Sequence, residues 1–198
     1  EELSGITEDV RVYVWGGDGT VGEAVSGIMD ANAADHAILT VCPAGTGNDF
    51  VRMFAGIEAG TEFKLDLLSC AGRHVLNMVN IGFDCEVVKQ VAKIKRSKLI
   101  PKNMAYVAGL VITLIRKPGV RAKVSLDGSE PESRDMLLTA VANGEWCGGG
   151  FHSTPLALLQ DGMLDTLLIK NVSRTRFLTL VSLYKNGTFV GHPRAQGI

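Results

Sequence analysis

The first sixty residues alternate between short apolar segments of strand length and longer segments with helical spacing. Arg11–Trp15 is predicted as a strand, and Ala37–Pro43 as a second, buried strand. A helix is predicted after each strand, the second of them with Asn48 or Asp49 as its N-cap. The first helix is indicated by apolar residues at Val21, Ala24, Val25, Ile28 and Met29. Strands that alternate with helices imply a parallel sheet with right-handed crossovers.

The rest of the sequence has the pattern of strands separated by turns. Residues 62–68 and 74–81 flank a turn at residues 71–72. Further strand patterns, and then a helical pattern, follow at residues 120–128, 136–143, 163–170 and 173–187. The sequence therefore predicts an α/β domain over residues 1–64 and a strand-rich domain over residues 65–198.

The composition excludes several classes of protein. The 20 Lys and Arg residues nearly balance the 21 Asp and Glu residues, so we expect no nucleic-acid partner. No apolar run reaches the roughly 18 residues of a membrane-spanning helix, and no signal peptide begins at Glu1, so a cytoplasmic location is expected. The scattered cysteines indicate reduced thiols rather than a disulfide or zinc site: Cys42, Cys70, Cys85 and Cys147.

Two glycine-rich loops follow the two predicted strands. The first has the sequence GGDGT at Gly16–Thr20, and the second AGTGNDF at residues 44–50. Both would lie at the carboxyl edge of the sheet, where open α/β folds bind ligands. Glycines let the backbone approach a phosphate, a helix N-terminus offers free amides, and Thr20 and Thr46 add hydroxyl donors. The P-loop lysine is absent, so backbone amides and a divalent cation would have to meet the phosphate charge.

Two other interpretations of the first loop remain open. Gly17, Gly19 and Gly22 satisfy the GxGxxG pattern of dinucleotide-binding folds, although Asp18 would repel a pyrophosphate there. The glycines could also form structural turns without a ligand.

The two loops together, GGDGT and PAGTGNDF, resemble those of the diacylglycerol kinase catalytic domain, and most closely those of soluble bacterial lipid kinases related to sphingosine and ceramide kinases. Segments at residues 80–84, 142–151 and 155–165 agree in order with the same family. The resemblance implies a phosphofructokinase- and NAD-kinase-like α/β nucleotide-binding domain followed by a β-sandwich domain.

The resemblance also implies which residues bind ATP. The implied contacts are Gly16, Gly17, Asp18, Gly19, Thr20, Val21, Gly22 and Thr46, with Asn48 and Asp49 close by. Gly22 stands where the bacterial enzymes commonly have Asn, which departs from the family pattern. Asp18 is interpreted as a metal-side or loop-positioning carboxylate, with a simple turn-forming role as the alternative.

A magnesium site is implied further along the sequence. Asp161 matches the family's structural magnesium ligand, with the backbone carbonyls of Leu158 and Met163 beside it. A carboxylate with two carbonyls suits Mg²⁺, which prefers oxygen ligands. The alternative is that Asp161 and Gly162 form only a tight turn before a strand, where Asp165 would be a strand-end residue.

The family pattern predicts parts that this sequence does not contain. The family has a strand, a loop and a helix before GGDGT, and its general base is an Asp in an Asp-Gly-Glu motif, expected downstream of Ile198. We therefore interpret the sequence as a fragment truncated at both ends, assign it no catalytic residue, and expect poor or no turnover. His152 is interpreted as a loop histidine, or as a contact to the substrate.

Half of the basic residues lie between Val87 and Leu126, a window without any acidic residue. Residues 86–100 are predicted as a helix with an apolar side, formed by Val87, Val88, Val91 and Ile94, surrounded by lysines. The apolar run at residues 104–115 is too short to cross a bilayer. This segment is interpreted either as a contact with an anionic membrane surface or as an ordinary core helix with a solvated face.

The favoured function is a lipid kinase that uses ATP and Mg²⁺ to phosphorylate the hydroxyl of diacylglycerol or a related lipid, while associated peripherally with a membrane. One alternative is an NAD kinase-like phosphotransferase, which shares GGDGT. Another is a nucleotide-binding module without catalysis. The sequence leaves open which lipid is the acceptor and whether the protein forms a homodimer.

Overall fold

The computed structural model describes residues 3–96, 101, 104–116 and 119–195. Within those ranges the chain forms ten strands, five α-helices and a short 3₁₀ turn. In order these are β1 (Val10–Gly16), α1 (Asp18–Asp30), β2 (Ala37–Pro43), α2 (Asp49–Arg52), β3 (Leu68–Cys70), β4 (Arg73–Val75), β5 (Met78–Gly82), α3 (Phe83–Arg96), α4 (Ala105–Arg116), β6 (Val120–Val124), β7 (Glu132–Ala142), β8 (Trp146–Cys147), β9 (Phe151–His152), β10 (Asp165–Lys170), α5 (Arg174–Asn186) and the turn Pro193–Ala195. No described helix is long and apolar enough to cross a membrane.

The contacts group the chain into two compact units that are not consecutive in sequence. The first unit contains the residues up to Val79 together with Ala142–Asp165, and the second contains Asn80–Val141 and the residues from Thr166 onward. The division into domains 1–64 and 65–198 stays a prediction. The contact grouping differs from it because residues 142–165 pack with the N-terminal part of the chain.

The first unit is built on two parallel strands and a helix. β1 and β2 pair in register from Val10 opposite Ala37 to Gly16 opposite Pro43, as the sequence predicts. The core lies under α1 and consists of Val14, Val21, Val25, Phe50 and Leu76. α1 starts inside the glycine-rich motif, at Asp18, so the motif supplies the first turn of the helix. α2 is a single turn.

The strand predicted over residues 62–68 forms only at its last residue. β3 and β4 pair as an antiparallel hairpin, and Ala71 and Gly72 turn the chain with φ angles of 50° and 75°, which confirms the predicted turn. Upstream of β3, the backbone N–H of Asp66 donates to the carbonyl oxygen of Leu159 at 2.9 Å, so it is bonded to a loop. Apolar alternation there reflects side chains packed on the core without a strand ladder.

The second unit has a four-stranded sheet in the order β10-β7-β5, with β6 paired to β7. The central strand β7 is buried from Met136 to Ala140. Three helices, α3, α4 and α5, accompany the sheet. α5 confirms the predicted helix, with Ser173 as its N-cap and Gly187 after its end at a φ of 68°. The basic positions Lys98, Lys102 and Lys117 lie outside the described residues.

Candidate nucleotide-binding site

The first glycine-rich loop connects β1 directly to α1. Gly17 occupies the N-cap position with an extended backbone, and no side chain caps the helix there. The first full helical bond runs from the N–H of Val21 to the carbonyl oxygen of Gly17 at 3.1 Å. The amides of the first turn therefore point out of the helix end without a side-chain partner, which is the arrangement that binds phosphate.

The second loop lies beside the first because β1 and β2 are parallel neighbours. The N–H of Ala44 donates to the carbonyl oxygen of Gly16 at 2.9 Å, which continues the pairing beyond the strands. Asn48 has a φ of 53° and occupies the N-cap position of α2, but its side chain does not cap that helix. Its Oδ1 accepts from the N–H of Gly45 and its Nδ2 donates to the Gly45 carbonyl oxygen, both at 2.9 Å. Asn48 therefore fixes the shape of its own loop.

The two loops touch through glycine. A Cβ atom added to Gly17 would lie 3.0 Å from the Cα of Gly45, and one added to Gly45 would overlap Gly17. A Cβ on Gly45 would lie closer than real Cβ atoms approach, and a Cβ on Gly17 would require the facing loop to shift by a few tenths of an ångström. Glycine at these positions therefore allows the two loops to pack together, which a simple turn would not need.

Two carboxylates hold the loops together. Asp18 Oδ1 accepts from the N–H of Phe50 at 2.9 Å, which ties the first loop to the start of α2. Asp49 is only 5% exposed, and its Oδ2 accepts from the N–H of Gly149 at 2.7 Å. Gly47 lies between them, since a Cβ on it would be 2.9 Å from Asp18 Oδ2 and 3.5 Å from Asp49 Oδ2. Of the interpretations of Asp18, this geometry favours the one in which its carboxylate positions the loop.

A third glycine loop, residues 148–150, joins the same cluster at the tip of the β8–β9 hairpin. Its three residues have φ angles of 61°, 81° and 109°, which favour glycine. The Cα of Gly149 would lie 3.7 Å from a Cβ on Gly47. The sequence offered the run GGG as a signal, but only the fold shows that it meets the other two loops.

Arg52 is a cation at this cluster that the sequence did not single out. Its Nη2 donates to the carbonyl oxygen of Gly47 at 3.2 Å, and its Nε lies 3.5 Å from Asp49 Oδ1. A Cβ on Gly150 would be 3.7 Å from its guanidinium carbon. With its side chain 45% exposed, Arg52 can reach an anion from between the second and third loops.

The other predicted ATP-binding residues divide by exposure. Gly19, Thr20 and Thr46 are exposed at the loops and open to a ligand. Val21 is 2% exposed and belongs to the core, so only its backbone can face a ligand. Gly22 lies within α1, where an added Cβ would meet nothing. A contact from each of these residues to ATP stays a prediction.

His152 is paired within the first unit. Its Nε2 lies 2.8 Å from Glu145 Oε2, and the Trp146 ring stacks on the imidazole at a centroid distance of 4.1 Å. Both partners come from the hairpin that carries the third glycine loop. The structure places His152 in strand β9 rather than in a loop, and the two contacts hold its side chain within the hairpin.

The predicted magnesium residues lie in one exposed segment before β10. Asp161 Oδ1 accepts from the N–H of Met163 at 3.0 Å, so the tight turn is present. Asp66, which the sequence did not single out, anchors this turn through a 2.7 Å bond from the N–H of Gly162. Among the described residues, no group of three or more His, Cys, Asp or Glu side chains is arranged to hold a metal ion.

The carboxylates of this turn nevertheless suit a cation. Burial raises the pKa of Asp165, and the negative charge of Asp161 raises that pKa further. The two groups are therefore close enough to repel each other, and a hard divalent cation would relieve that repulsion. Magnesium binding by Asp161 and the carbonyls of Leu158 and Met163 stays a prediction.

Comparison with known proteins identifies two family models along the chain. Residues 3–81 match the diacylglycerol kinase catalytic domain, and residues 77–197 match the YegS C-terminal NAD kinase beta sandwich-like domain. The three glycine loops are thus divided between the two models. Their order agrees with the predicted sequence of an α/β nucleotide-binding domain followed by a β-sandwich domain.

Curated relatives and a solved structure agree with these matches. A protein named "Probable lipid kinase YegS-like" from Pseudomonas syringae pv. tomato is 33% identical over 171 residues, which cover 80% of this chain and 53% of the relative. A diacylglycerol kinase of Mycobacterium tuberculosis is 27% identical, over 90% of this chain and 61% of its own length. The chain thus spans little more than half of these relatives.

The fold comparison points the same way. A crystal structure of a diacylglycerol kinase from Bacillus anthracis superimposes with a TM-score of 0.61 and 27% identity, covering 87% of this chain and 58% of that one. This similarity confirms the predicted fold class. The chain belongs to the family of the YegS C-terminal NAD kinase beta sandwich-like domain, and its residues 3–81 match the diacylglycerol kinase catalytic domain.

Proposed function

We propose that this sequence supplies the phosphate-binding loops of an ATP-dependent lipid kinase that phosphorylates the hydroxyl of diacylglycerol or a similar lipid. The observation that carries the proposal is the mutual contact of the three glycine loops, seen at Gly17, Gly45, Gly47 and Gly149. These positions exclude side chains and leave the uncapped N-terminus of α1 as a set of donors for phosphate oxygens.

In the proposed reaction the lipid hydroxyl oxygen forms a bond to the γ-phosphorus of ATP. The bond from that phosphorus to the β,γ-bridging oxygen breaks, ADP leaves, and the hydroxyl proton passes to a base. Asp18 and Asp49 each accept a backbone hydrogen bond, so we assign them to holding the loops. Arg52 supplies a fixed positive charge beside the phosphates. We assign no residue of this site as the base.

Magnesium fits the turn that ends at Met163. The donors there are hard oxygens, from the Asp161 carboxylate and from backbone carbonyls, and the neighbouring Asp165 carboxyl adds negative charge. Bound Mg²⁺ would supply positive charge to this turn and hold it at the start of β10. We expect Mg²⁺ to raise the melting temperature of the protein, and Asp161→Asn to remove most of that rise.

An apolar acceptor is favoured by a cavity inside the second unit. The cavity measures about 100 Å³ and has an almost entirely apolar lining. Its walls include Leu137, Leu168, Phe177, Leu180 and Val181. Such a lining suits a short stretch of hydrocarbon, although the volume is below that of most ligand pockets.

Nucleotide binding by this chain is the first test. Titration calorimetry with ATP and Mg²⁺ is expected to show one site per chain. Arg52→Gln should weaken that binding about tenfold or more, because a charged hydrogen bond to phosphate is lost. Arg73→Gln, on the exposed hairpin strand β4, is the matched control and should bind as the wild type does. Equal affinities in all three proteins would remove Arg52 from the site.

The transfer reaction is tested on the longest natural protein that carries this sequence, since the chain spans little more than half of its relatives. The protein receives γ-labelled ATP, Mg²⁺, micelles with diacylglycerol, sphingosine and ceramide, and dissolved NAD. Label in the organic phase is expected. Label confined to a dinucleotide would replace the proposal with NAD phosphorylation. Nucleotide binding without label in any acceptor would favour a non-catalytic binding module.

A further inference from the structure

α3 and α4 form an antiparallel pair within the second unit. A Cβ added to Gly109 of α4 would lie 2.6 Å from Val91 Cγ2 and 3.4 Å from the carbonyl oxygen of Val87, so the helices meet there without a side chain between them. The inner face of α3 is buried through Val87 and Ile94, at 4% and 7% exposure. Most of the apolar side predicted for this helix is therefore core.

The pair also has an apolar face that nothing in the described chain covers. On α4 and just before it, Met104, Val111 and Ile115 are 55%, 48% and 65% exposed. Their spacing of seven and four residues places them on one side of the helix. Val88 of α3, predicted to lie on the apolar side of its helix, is 66% exposed. Single exposed apolar residues are ordinary, but a row along one helix marks a contact surface.

The same two helices carry exposed basic side chains. The exposed cations on the two helices are Lys89, Lys93, Lys95, Arg96 and Arg116. At the end of α4, Arg174 donates to the carbonyl oxygens of Leu114 and Ile115, at 3.1 and 2.6 Å. Only two acidic residues, Asp84 and Glu86, belong to the described part of α3 and α4, against five exposed cations.

The two acidic residues are both engaged. Asp84 is bonded to the hydroxyl of Tyr184 at 3.3 Å and is largely buried. Glu86 pairs with Lys89 at 2.6 Å. The hydrogen bond from Lys89 lowers the pKa of Glu86, and the charges of Lys93 and Arg116 lower that pKa further, which shows that these cations gather around it. The face therefore carries a net positive charge.

We propose that the exposed row formed by Met104, Val111 and Ile115, together with the basic residues of α3 and α4, docks on the surface of an anionic bilayer. The apolar side chains would enter the headgroup region while the lysines and arginines meet lipid phosphates. An anionic bilayer would contact both the basic and the apolar side chains. A nucleic acid would contact the basic side chains alone and leave the apolar row exposed to water. The biological reason rests on the proposed function, because a kinase of membrane lipids must reach its acceptor there.

The test measures co-sedimentation of the whole chain, without ATP, with vesicles of equal parts phosphatidylcholine and phosphatidylglycerol. One variant is Lys93→Glu with Lys95→Glu, and its matched control is Lys64→Glu with Lys170→Glu. The helix variant is expected to lose at least about tenfold in affinity, because two attractive charges become repulsive. The control variant should stay within about twofold of the wild type, and vesicles of phosphatidylcholine alone should bind weakly.

A second variant separates the apolar contribution from the charge. Val111→Ser with Ile115→Ser is expected to weaken vesicle binding at least about fivefold, even though the net charge is unchanged. Its control, Leu126→Ser with Val190→Ser, removes two exposed apolar residues outside the helix pair. Far-ultraviolet circular dichroism and melting temperature confirm that all four variants are folded.

Each outcome decides the proposal. It is overturned if the wild type does not bind anionic vesicles, or if both helix variants bind as their controls do. It is also overturned if a double-stranded DNA oligonucleotide binds as tightly and Val111→Ser with Ile115→Ser leaves vesicle binding unchanged. Nucleotide titration of the same variants keeps the two proposals apart. Vesicle binding without ATP binding would contradict the proposed kinase function alone, and the reverse would contradict the docking face alone.

Discussion

Gly17 and Gly45 show how a single atom decides whether two loops can meet. A Cβ atom on either glycine would overlap or nearly overlap the backbone of the other loop, although neither glycine has a positive φ. Their identity is therefore set by the neighbouring loop, and their own backbone conformation would accept another residue. Glycines 148–150 differ, because their positive φ values favour glycine whatever surrounds them.

Gly45→Ala is expected to lower the free energy of unfolding by about 1–3 kcal/mol, because the new methyl group overpacks the loop contact. It should also weaken ATP binding, since the loops can no longer approach. Gly27→Ala is the control: its methyl group meets open space within α1, away from the loops. Calorimetry and urea unfolding measure both effects. Unchanged nucleotide affinity in Gly45→Ala would show that the loop contact is not part of the site.

Asp84 is a largely buried carboxyl that accepts a hydrogen bond from the Tyr184 hydroxyl at 3.3 Å. Burial raises the pKa of Asp84 from its ordinary value of 3.8, and the hydrogen bond from Tyr184 lowers the pKa in part. Because the folded state holds this proton more tightly than the unfolded state, its contribution to stability is full below pH 3.8 and is lost as the pH rises through the raised pKa.

We therefore expect Asp84→Asn to gain stability relative to the wild type as the pH rises from about 4 to about 8. The asparagine carbonyl keeps the bond from Tyr184 and carries no charge to desolvate. Urea unfolding measures the free energy of unfolding of both proteins across this pH range. The contributions of the other carboxylates cancel in the difference between the two proteins. A difference that is constant with pH would mean that Asp84 is not desolvated.

At the scale of elements, the crossing of α3 and α4 depends on one small residue. Gly109 is the position where α4 lies against the backbone and side chain of Val91. Helix propensity alone favours alanine over glycine by about 1 kcal/mol in a helix interior. Replacing a helix glycine that has open space around it with alanine should therefore stabilise the protein, whereas replacing a packed one should destabilise it.

Gly109→Ala is expected to destabilise the protein by about 1–3 kcal/mol, because its methyl group would lie 2.6 Å from Val91 Cγ2. Gly27→Ala, in α1 with open space around it, should stabilise by up to about 1 kcal/mol. Thermal unfolding distinguishes the two signs. Stabilisation by Gly109→Ala would show that the helices can separate at this point without cost.

Elements that depend on local pattern were predictable, and those that depend on partners were not. β1, β2, α5 and the 71–72 turn follow from apolar spacing and turn chemistry. The strand expected over residues 62–68 failed because alternation marks buried side chains, and a ladder also needs a neighbouring strand. Asp66 bonds instead to a loop almost a hundred residues later, at Leu159.

At the scale of the whole molecule, the first compact unit is built from two distant stretches of sequence. Asn143, 1% exposed, donates from Nδ2 to the carbonyl oxygens of Asp66 and Leu76, at 2.7 and 3.3 Å. Its own N–H donates to the carbonyl oxygen of Asn77 at 2.8 Å. Gly149 donates to Oδ2 of the buried Asp49 carboxylate in the same way. Residues 142–165 thus supply hydrogen-bond partners to the first stretch.

A chain of residues 1–79 alone is therefore expected not to fold, because Asp49 and the carbonyls at Asp66 and Leu76 lose their partners. Joining residues 142–165 to it through a flexible linker should restore a cooperative melt and ATP binding. Near-ultraviolet circular dichroism and calorimetry measure both. A folded, nucleotide-binding chain of residues 1–79 would show that the second stretch is dispensable.

The sequence by itself determined the alternation of strands and helices in the first sixty residues, the two glycine-rich loops at strand ends, and the family resemblance of their motifs. These are local properties, since spacing, turn residues and short motifs act over a few positions. Only the tertiary structure decided that Gly149 and Arg52 join those loops, that Asp18 and Asp49 hold them, and that Val88 faces outward. Such contacts depend on which distant segments share one core, and pairings over a hundred residues leave no periodic trace in the sequence.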